Sequence, residues 1–329
     1  MNENMKIVMT HTGKIYVDVE NRLEFLTVGD YGKENNIKAS FLGLDKEING
    51  VQHHDVDLED KWVATISTQH GCCMNCSFCD CPKYGFYGNV SEELLEHEIK
   101  TMLLDNRTIT SHTKRFNVHF ARMGEPTFNF NVLKFTEFRL RELVDQFIYA
   151  DVIHPVVSTM LPKVNKKLFE FLYQWCYIKN EVYKGEAGLQ FSINSTDDTQ
   201  RNAGFNNMSL SLHEISELAR KLPAPVGRKY TLNFAVTKDT ILDADQLDLL
   251  FNKDHWIVKI TPIHETHAAV SNGYDVGNTY TDYDVYRKFE QPLVEHGWDV
   301  IVFVPSKEED SDRITCGNAL ISTEVFKEE

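Results

Sequence analysis

The chain lacks any long hydrophobic run: across its 329 residues no apolar stretch approaches the ~20 residues that a membrane helix needs. Met1–Ile7 does not read as a secretory leader. The chain also lacks an even set of cysteines. It has seven, with no secretory signal, which speaks against a disulfide framework. Basic residues are in deficit, with 34 Lys and Arg against 49 Asp and Glu and a formal net charge of −15. That argues against a broad, non-specific nucleic-acid surface while leaving room for a local basic groove. The clusters Lys114 and Arg115, Lys163, Lys166 and Lys167, and Arg220, Lys221, Arg228 and Lys229 read as solvated faces. Internal repeats and low-complexity tracts are missing too. The expectation is a soluble, cytoplasmic protein with no membrane partner, in a compartment where thiols stay reduced.

What is present begins with 42% hydrophobic residues, enough for a sizeable core. KIYVDVE and LEFLTVG alternate apolar and polar residues as strands do, and KASFLGL follows at Lys38–Leu44. This predicts a small β-rich extension over 1–60. From Trp62 the pattern changes. WVATISTQ reads as a buried strand, and Ser91–Leu104 as a helix capped by Ser91. Strand patterns recur at Arg115–Arg122, Val152–Ser158, Leu189–Asn194, Tyr230–Val236, Trp256–Thr261 and Val300–Val304. Helical patterns lie between them, at Asn131–Ile148, Val164–Trp175, Ser209–Leu222, Asp243–Phe251 and Asp282–His296. About six alternations predict an α/β fold with a parallel sheet over 61–329. Ligands of such sheets bind at the carboxyl ends of the strands. Five strand ends therefore share one site: the loop after Trp62–Gln69, Met123–Pro126, Ser158–Thr159, Asn194–Ser195 and Pro262–His264.

Five of the cysteines fall in GCCMNCSFCDC. Cys72, Cys76 and Cys79 have the spacing C-x3-C-x2-C, which can hold three irons of a [4Fe–4S] cluster and leave the fourth open to a non-protein ligand. Structural zinc is the competing reading. It commonly takes four ligands in two C-x2-C pairs or with His, and a second pair is missing. Cys176 and Cys316 are distant and isolated. Cys73 and Cys81 read as small loop or core residues, or as spare thiols beside a cluster.

C-x3-C-x2-C after a first barrel strand resembles the hallmark of the radical S-adenosylmethionine (SAM) enzymes. STQHGCCMNCSFC, ARMGEPTFN, QFSINSTDDTQR and DRITCGNAL are similar to segments of one branch, the radical SAM adenosine methyltransferases of ribosomal and transfer RNA (the RlmN/Cfr family). The resemblance runs from Trp62 to about Leu320. It implies a partial (βα)6 TIM-like barrel and a [4Fe–4S] cluster on Cys72, Cys76 and Cys79. It implies SAM on the open iron, with Glu125 accepting from the ammonium, Gly124 allowing close backbone approach, and Ser158, Ser192 and Asn194 meeting the carboxylate and ribose. His264 falls where the family usually has Asn, and Phe78 at its aromatic position beside the cluster. Tyr84 and Phe86 extend that apolar wall or simply pack. Cys316 matches the family's methyl-carrying cysteine. A nucleic-acid base, RNA or a nucleotide is the implied substrate class, with a nucleobase, peptide or other small molecule as the divergent alternative. A flavodoxin- or ferredoxin-type reductant is the implied electron donor.

Three departures accompany the likeness. The family's second catalytic cysteine corresponds to Thr65, which can neither act as a thiol base nor form a disulfide. Only about sixty residues precede the first barrel strand, so the family's helical RNA-binding domain is expected to be missing. The acidic run Glu308, Glu309, Asp310 and Asp312 precedes Cys316, and an acidic loop is expected to repel RNA phosphate.

Overall fold

The computed structural model describes residues 5–28, 46–48, 51–53, 57–276 and 284–322. The expected strand at Lys38–Leu44 lies outside them. The strands are β1 (Met5–Met9), β2 (Gly13–Asp18), β3 (Leu23–Val28), β4 (Lys46–Ile48), β5 (Val51–His53), β6 (Trp62–Ile66) and β7 (Gln69–Gly71). They continue with β8 (Phe86–Asn89), β9 (His112–Phe120), β10 (Tyr149–Thr159), β11 (Gly188–Ser192), β12 (Tyr230–Val236), β13 (Trp256–Pro262) and β14 (Val300–Val302). Among the described residues one ten-stranded sheet runs β1-β2-β3-β6-β9-β10-β11-β12-β13-β14. From β6 onward every neighbouring pair is parallel, and each crossover carries helix, as parallel connections require. This is the expected (βα)6 arrangement with a short strand after it.

The β-rich beginning of the chain joins that same sheet. β1, β2 and β3 form an antiparallel meander, and β3 pairs antiparallel with β6, bringing Leu26 opposite Thr65. Trp62 fastens this junction from below by donating its indole N–H to Thr27 Oγ1 at 2.7 Å. The N-terminal strands therefore lie directly against the first strand of the barrel.

Alternation along each strand sorts the two faces. Trp62, Ala64 and Ile66 of β6, Phe116, Val118 and Phe120 of β9, and Leu232 and Phe234 of β12 enter the main core with the helices. The helix Glu92–Asn106 supplies Leu95, Ile99, Met102 and Leu103 to that core. Its start is fixed by Ser91, whose hydroxyl accepts from the Leu94 N–H at 3.3 Å. The helix over 131–145 contains a π turn at Phe135–Arg139. The opposite face of the strands is the barrel interior, and it is polar: Thr65, Asn117, His119, Ser158, Gln190, Asn233 and Lys259 alternate with the core residues. A packed barrel core is normally filled by branched apolar side chains. A polar interior is instead a place for a polar guest.

Candidate functional site

The Cys loop leaves β6 through a hairpin of β7 with β8. Cys72 N–H donates to Gly85 O at 2.9 Å, Cys79 N–H to Cys76 O at 3.2 Å, and Ser77 N–H to Gly204 O at 3.0 Å. The loop is thus folded on itself and bound to the strand-end region after β11. Cys72, Cys73, Cys76 and Cys79 are half-buried, Cys81 is buried, and Cys316 is exposed. Burial raises the Cys76 thiol well above its usual range, and Cys72, Glu125, Cys316 and Cys81 add to the rise. Burial likewise raises Cys72, with Cys81, Cys73 and Glu125 contributing. Cys79 hydrogen-bonds with Cys81, which favours its thiolate, yet burial and the neighbouring Cys76 and Cys72 hold it above the usual value. These thiols repel one another's ionised forms, so they become thiolates together only around a positive centre. That is the donor set an iron–sulfur cluster takes. Among the described residues no three His, Cys, Asp or Glu side chains converge closely enough to hold a metal ion.

The MGEP turn follows β9 on the inner side of the Cys loop. Gly124 has φ +100°, and a Cβ there would meet Gln69 Cβ and Cγ at 2.6 Å. Close approach of Gln69 accounts for the glycine. Gln69 Oε1 in turn accepts from the Glu125 N–H at 3.1 Å. The Glu125 carboxylate is 3% exposed. Its Oε1 accepts from Thr127 N–H and Oγ1 at 3.2 and 2.8 Å, and its Oε2 from Met160 N–H at 3.0 Å. Burial raises its pKa while these bonds oppose the rise. Thr159 also hydrogen-bonds the carboxylate, so the group is held firmly in place.

The remaining predicted positions divide. Ser158 and Ser192 sit on the polar interior face; Ser158 Oγ accepts from Gln190 Nε2 at 3.2 Å, and Ser192 O accepts from Arg201 Nη2 at 3.2 Å. Asn194 adopts a left-handed φ of 60°, and its Oδ1 accepts from Ala235 N–H at 3.1 Å. Its side chain thereby ties the end of β11 to β12. His264 Nδ1 lies 3.4 Å from Asp310 Oδ1, facing the C-terminal segment. Phe78 packs edge-on against Phe205 and Tyr274, with ring centroids 5.6 and 6.1 Å away. It shares an apolar cluster with Cys72, Cys76, Met74 and Met160. Tyr84 packs beside Cys72, Cys79 and Cys81, while Phe86 is exposed and lines a pocket of about 340 Å³ with Cys73, Met74 and Phe128.

Cys316, from the far end of the chain, reaches the same place. Its Sγ lies 3.8 Å from Ala121 O, at the end of β9, next to the carbonyl of Arg122 that receives the Cys81 thiol at 3.3 Å. Gly317 lies on Cys79: a Cβ built there would be 3.6 Å from Cys79 Cα and Sγ, at φ +85°. Asp80 N–H donates to Gly317 O at 2.9 Å. Burial pushes the Cys316 thiol up to about 11, with Cys81 adding to the effect. Thr65 lies lower on the interior wall, in register with His119 on β9. Cys72, Cys76, Cys79, Glu125 and Cys316 are therefore one group of neighbours, with Thr65 and His119 beneath.

The acidic run before Cys316 is not the repulsive surface expected of it. Glu309 and Asp310 are buried. Asp310 accepts from Thr315 Oγ1 at 2.5 Å, Asn318 Nδ2 at 2.9 Å and Glu265 N–H at 2.6 Å. Asp312 accepts from Thr12 N–H and Oγ1 at 3.0 and 2.8 Å. Asp310 and Asp312 are consumed in building the loop, while Glu308 stays exposed. Arg115, expected on a solvated face, lies on the interior face of β9, near Glu186. Sequence reasoning missed Glu24, Arg122 and Asp80, which hold the loop. Arg122 sits inside ARMGEP, at the end of the strand expected over Arg115–Arg122.

No protein-family model matches the chain. Curated proteins do. The "Dual-specificity RNA methyltransferase RlmN" of Anaeromyxobacter dehalogenans is 27% identical over 215 residues, covering 63% of this chain and 54% of that protein. The "Probable dual-specificity RNA methyltransferase RlmN" of Petrotoga mobilis is 23% identical over 334 residues, covering 89% and 82%. The chain spans a little over half the length of several such relatives. Among solved structures, a radical SAM methyltransferase from Sphaerobacter thermophilus superposes with a TM-score of 0.61 at 16% identity, covering 96% of this chain and 81% of that one. Among the described residues no helix is long and apolar enough to cross a membrane. The chain is thus similar in sequence to RlmN-type RNA methyltransferases over much of its length, and it shares its fold with a solved radical SAM methyltransferase.

Proposed function

We propose that the chain is a radical SAM methyltransferase acting on a nucleic-acid base, with Cys316 as methyl carrier. Cys72, Cys76 and Cys79 would hold a [4Fe–4S] cluster, and SAM would occupy its open position. When bound, that pair supplies a 5′-deoxyadenosyl radical by reductive cleavage of SAM, fed by a flavodoxin- or ferredoxin-type donor. The protein's own part is placement. Glu125 offers a buried acceptor to the SAM ammonium. Ser158 and Ser192 present hydroxyls on the interior wall. Phe78 closes the apolar side with Phe205 and Met160. The C-terminal loop seats Cys316 against the end of β9.

The single observation carrying this reading is the seating of Gly317 on Cys79, which puts Cys316 beside the Cys loop although the two are more than two hundred residues apart in sequence. Anaerobically reconstituted protein with SAM and reductant should form 5′-deoxyadenosine. The peptide containing Cys316 should gain the mass of one methylene unit. An unmodified Cys316 during active SAM cleavage removes the methyl-carrier role.

Thr65 favours a second reading. It stands on the interior face where the resembling family has its second cysteine, and Asn233 on the same face is 9% exposed with no partner for its Oδ1 among the described residues. A barrel that keeps radical generation but accepts a smaller polar guest, such as a nucleotide, nucleobase or peptide, suits both residues. Activity on free nucleotides with none on RNA would select it.

A further inference from the structure

Among the contacts that hold the loop carrying Cys316 is a fully buried ion pair, and the geometry points to that pair as the device that positions the methyl carrier. Glu24 of β3 and Arg122 after β9 have side chains 0% and 1% exposed. Arg122 Nε donates to Glu24 Oε1 at 2.7 Å, and Nη2 donates to the same oxygen. The pair then turns its remaining capacity on the loop backbone. Arg122 Nη1 donates to Thr315 O at 3.1 Å, and Nη2 to Arg313 O at 2.9 Å and Asn318 O at 3.2 Å. Glu24 Oε1 accepts from Leu320 N–H at 3.1 Å, and Oε2 from Ile321 N–H at 2.6 Å. Five main-chain groups, on both sides of Cys316, meet one guanidinium and one carboxylate.

A buried ion pair is weak evidence for stability, since apolar side chains of equal volume often serve as well. Apolar side chains cannot satisfy five peptide groups of a loop. The pair can: the guanidinium's fixed fork serves the three carbonyls, the carboxylate accepts from the two N–H groups, and a lysine's point charge in place of Arg122 reaches fewer of the carbonyls. The surroundings repeat the pattern. Ile15, Val17 and Leu26 of the N-terminal strands pack with Ile314, Ala319 and Ile321 of the loop, and Thr12 binds Asp312. The N-terminal meander is therefore the platform on which the Cys316 loop rests, and Glu24–Arg122 is its latch. Both are positioning residues, acting through the loop. The functional part of this inference rests on the methyl-carrier reading above.

The experiment uses the full-length, cluster-loaded protein and three variants: Arg122→Lys, Glu24→Gln, and the double variant Glu24→Gln/Arg122→Met, which removes both charges at once. Three quantities are followed together: amide hydrogen exchange in 313–321, methyl occupancy of Cys316 by peptide mass, and 5′-deoxyadenosine formed from SAM. For Arg122→Lys the expected result is exchange in 313–321 faster by about tenfold, with the barrel strands unchanged. Methyl occupancy should fall by about tenfold while 5′-deoxyadenosine formation stays within about twofold, since one bond network and not the cluster site is altered. Unchanged exchange in 313–321 across all three variants overturns the latch. A parallel fall of 5′-deoxyadenosine formation and iron content overturns the positioning role in favour of general damage. Faster loop exchange with Cys316 unmethylated even in the wild type keeps the latch and sinks the methyl-carrier reading.

Discussion

Two buried arginines brace the Cys loop region from opposite sides, and they do it differently. Arg122 lies toward β3 and the C-terminal loop, paired with Glu24. Arg201, in the helix Asp198–Gly204, lies toward β10 and β11 and is 1% exposed. It donates to Leu210 O, Met160 O and Ser192 O at 3.2, 3.3 and 3.2 Å, and its guanidinium sits 4.8 Å over the Phe205 ring. Carbonyl dipoles and an aromatic face are its counter-charge, and burial lowers its pKa to about 10, with Asp198 opposing. Two of the carbonyls Arg201 joins, Met160 O and Ser192 O, stand at the ends of β10 and β11, which are already in parallel register. Among the described residues the segment Arg122 grips has no strand pairing. Where the sheet has set the geometry, dipoles suffice; where a loop must be caught from far along the chain, a full ion pair is used.

The comparison can be broken at the point where both braces converge. Replacing Cys72, Cys76 or Cys79 by Ala should abolish 5′-deoxyadenosine formation and the iron–sulfur absorbance, with both arginine networks intact by hydrogen exchange. Next in size, Arg122→Met should destabilise the protein by about 3–5 kcal/mol, because Glu24 is left buried and uncompensated. Arg201→Met strands only carbonyls and should cost about 1–3 kcal/mol. Urea unfolding of the metal-free proteins ranks them, and an equal or reversed ranking would erase the distinction. Glu125→Gln removes a charge-assisted acceptor, so SAM should bind about tenfold more weakly to the cluster-loaded protein in equilibrium titrations. Smallest is Thr65→Cys on the interior wall, expected within about 0.5 kcal/mol of wild type; its use is to test whether a thiol there raises turnover on RNA.

Much of this was legible from periodicity. The strands at Tyr230–Val236 and Trp256–Pro262 match their apolar alternation almost to the residue, because every second side chain had to enter one core. The β7–β8 hairpin and the helix Asp198–Gly204 were not legible. They are too short and too polar to carry a period, and are held by caps and by the Cys loop. The C-terminal loop was legible only through the likeness of DRITCGNAL. Its acids were misjudged because net charge says nothing about direction, and Asp310 and Asp312 point inward. Glu24 and Arg122 were invisible for a related reason: pairing across 98 positions leaves no local trace.

The bond from Leu320 to Glu24 spans 296 positions. Closing so long a loop carries an entropy that grows with the logarithm of its length, and such distant pairings form late in folding. The thiol that would receive the methyl group is thus among the last pieces to arrive, after the strands, the Cys loop and the MGEP turn can already be in place. A half-made chain would have the means to gather iron but not the means to aim it.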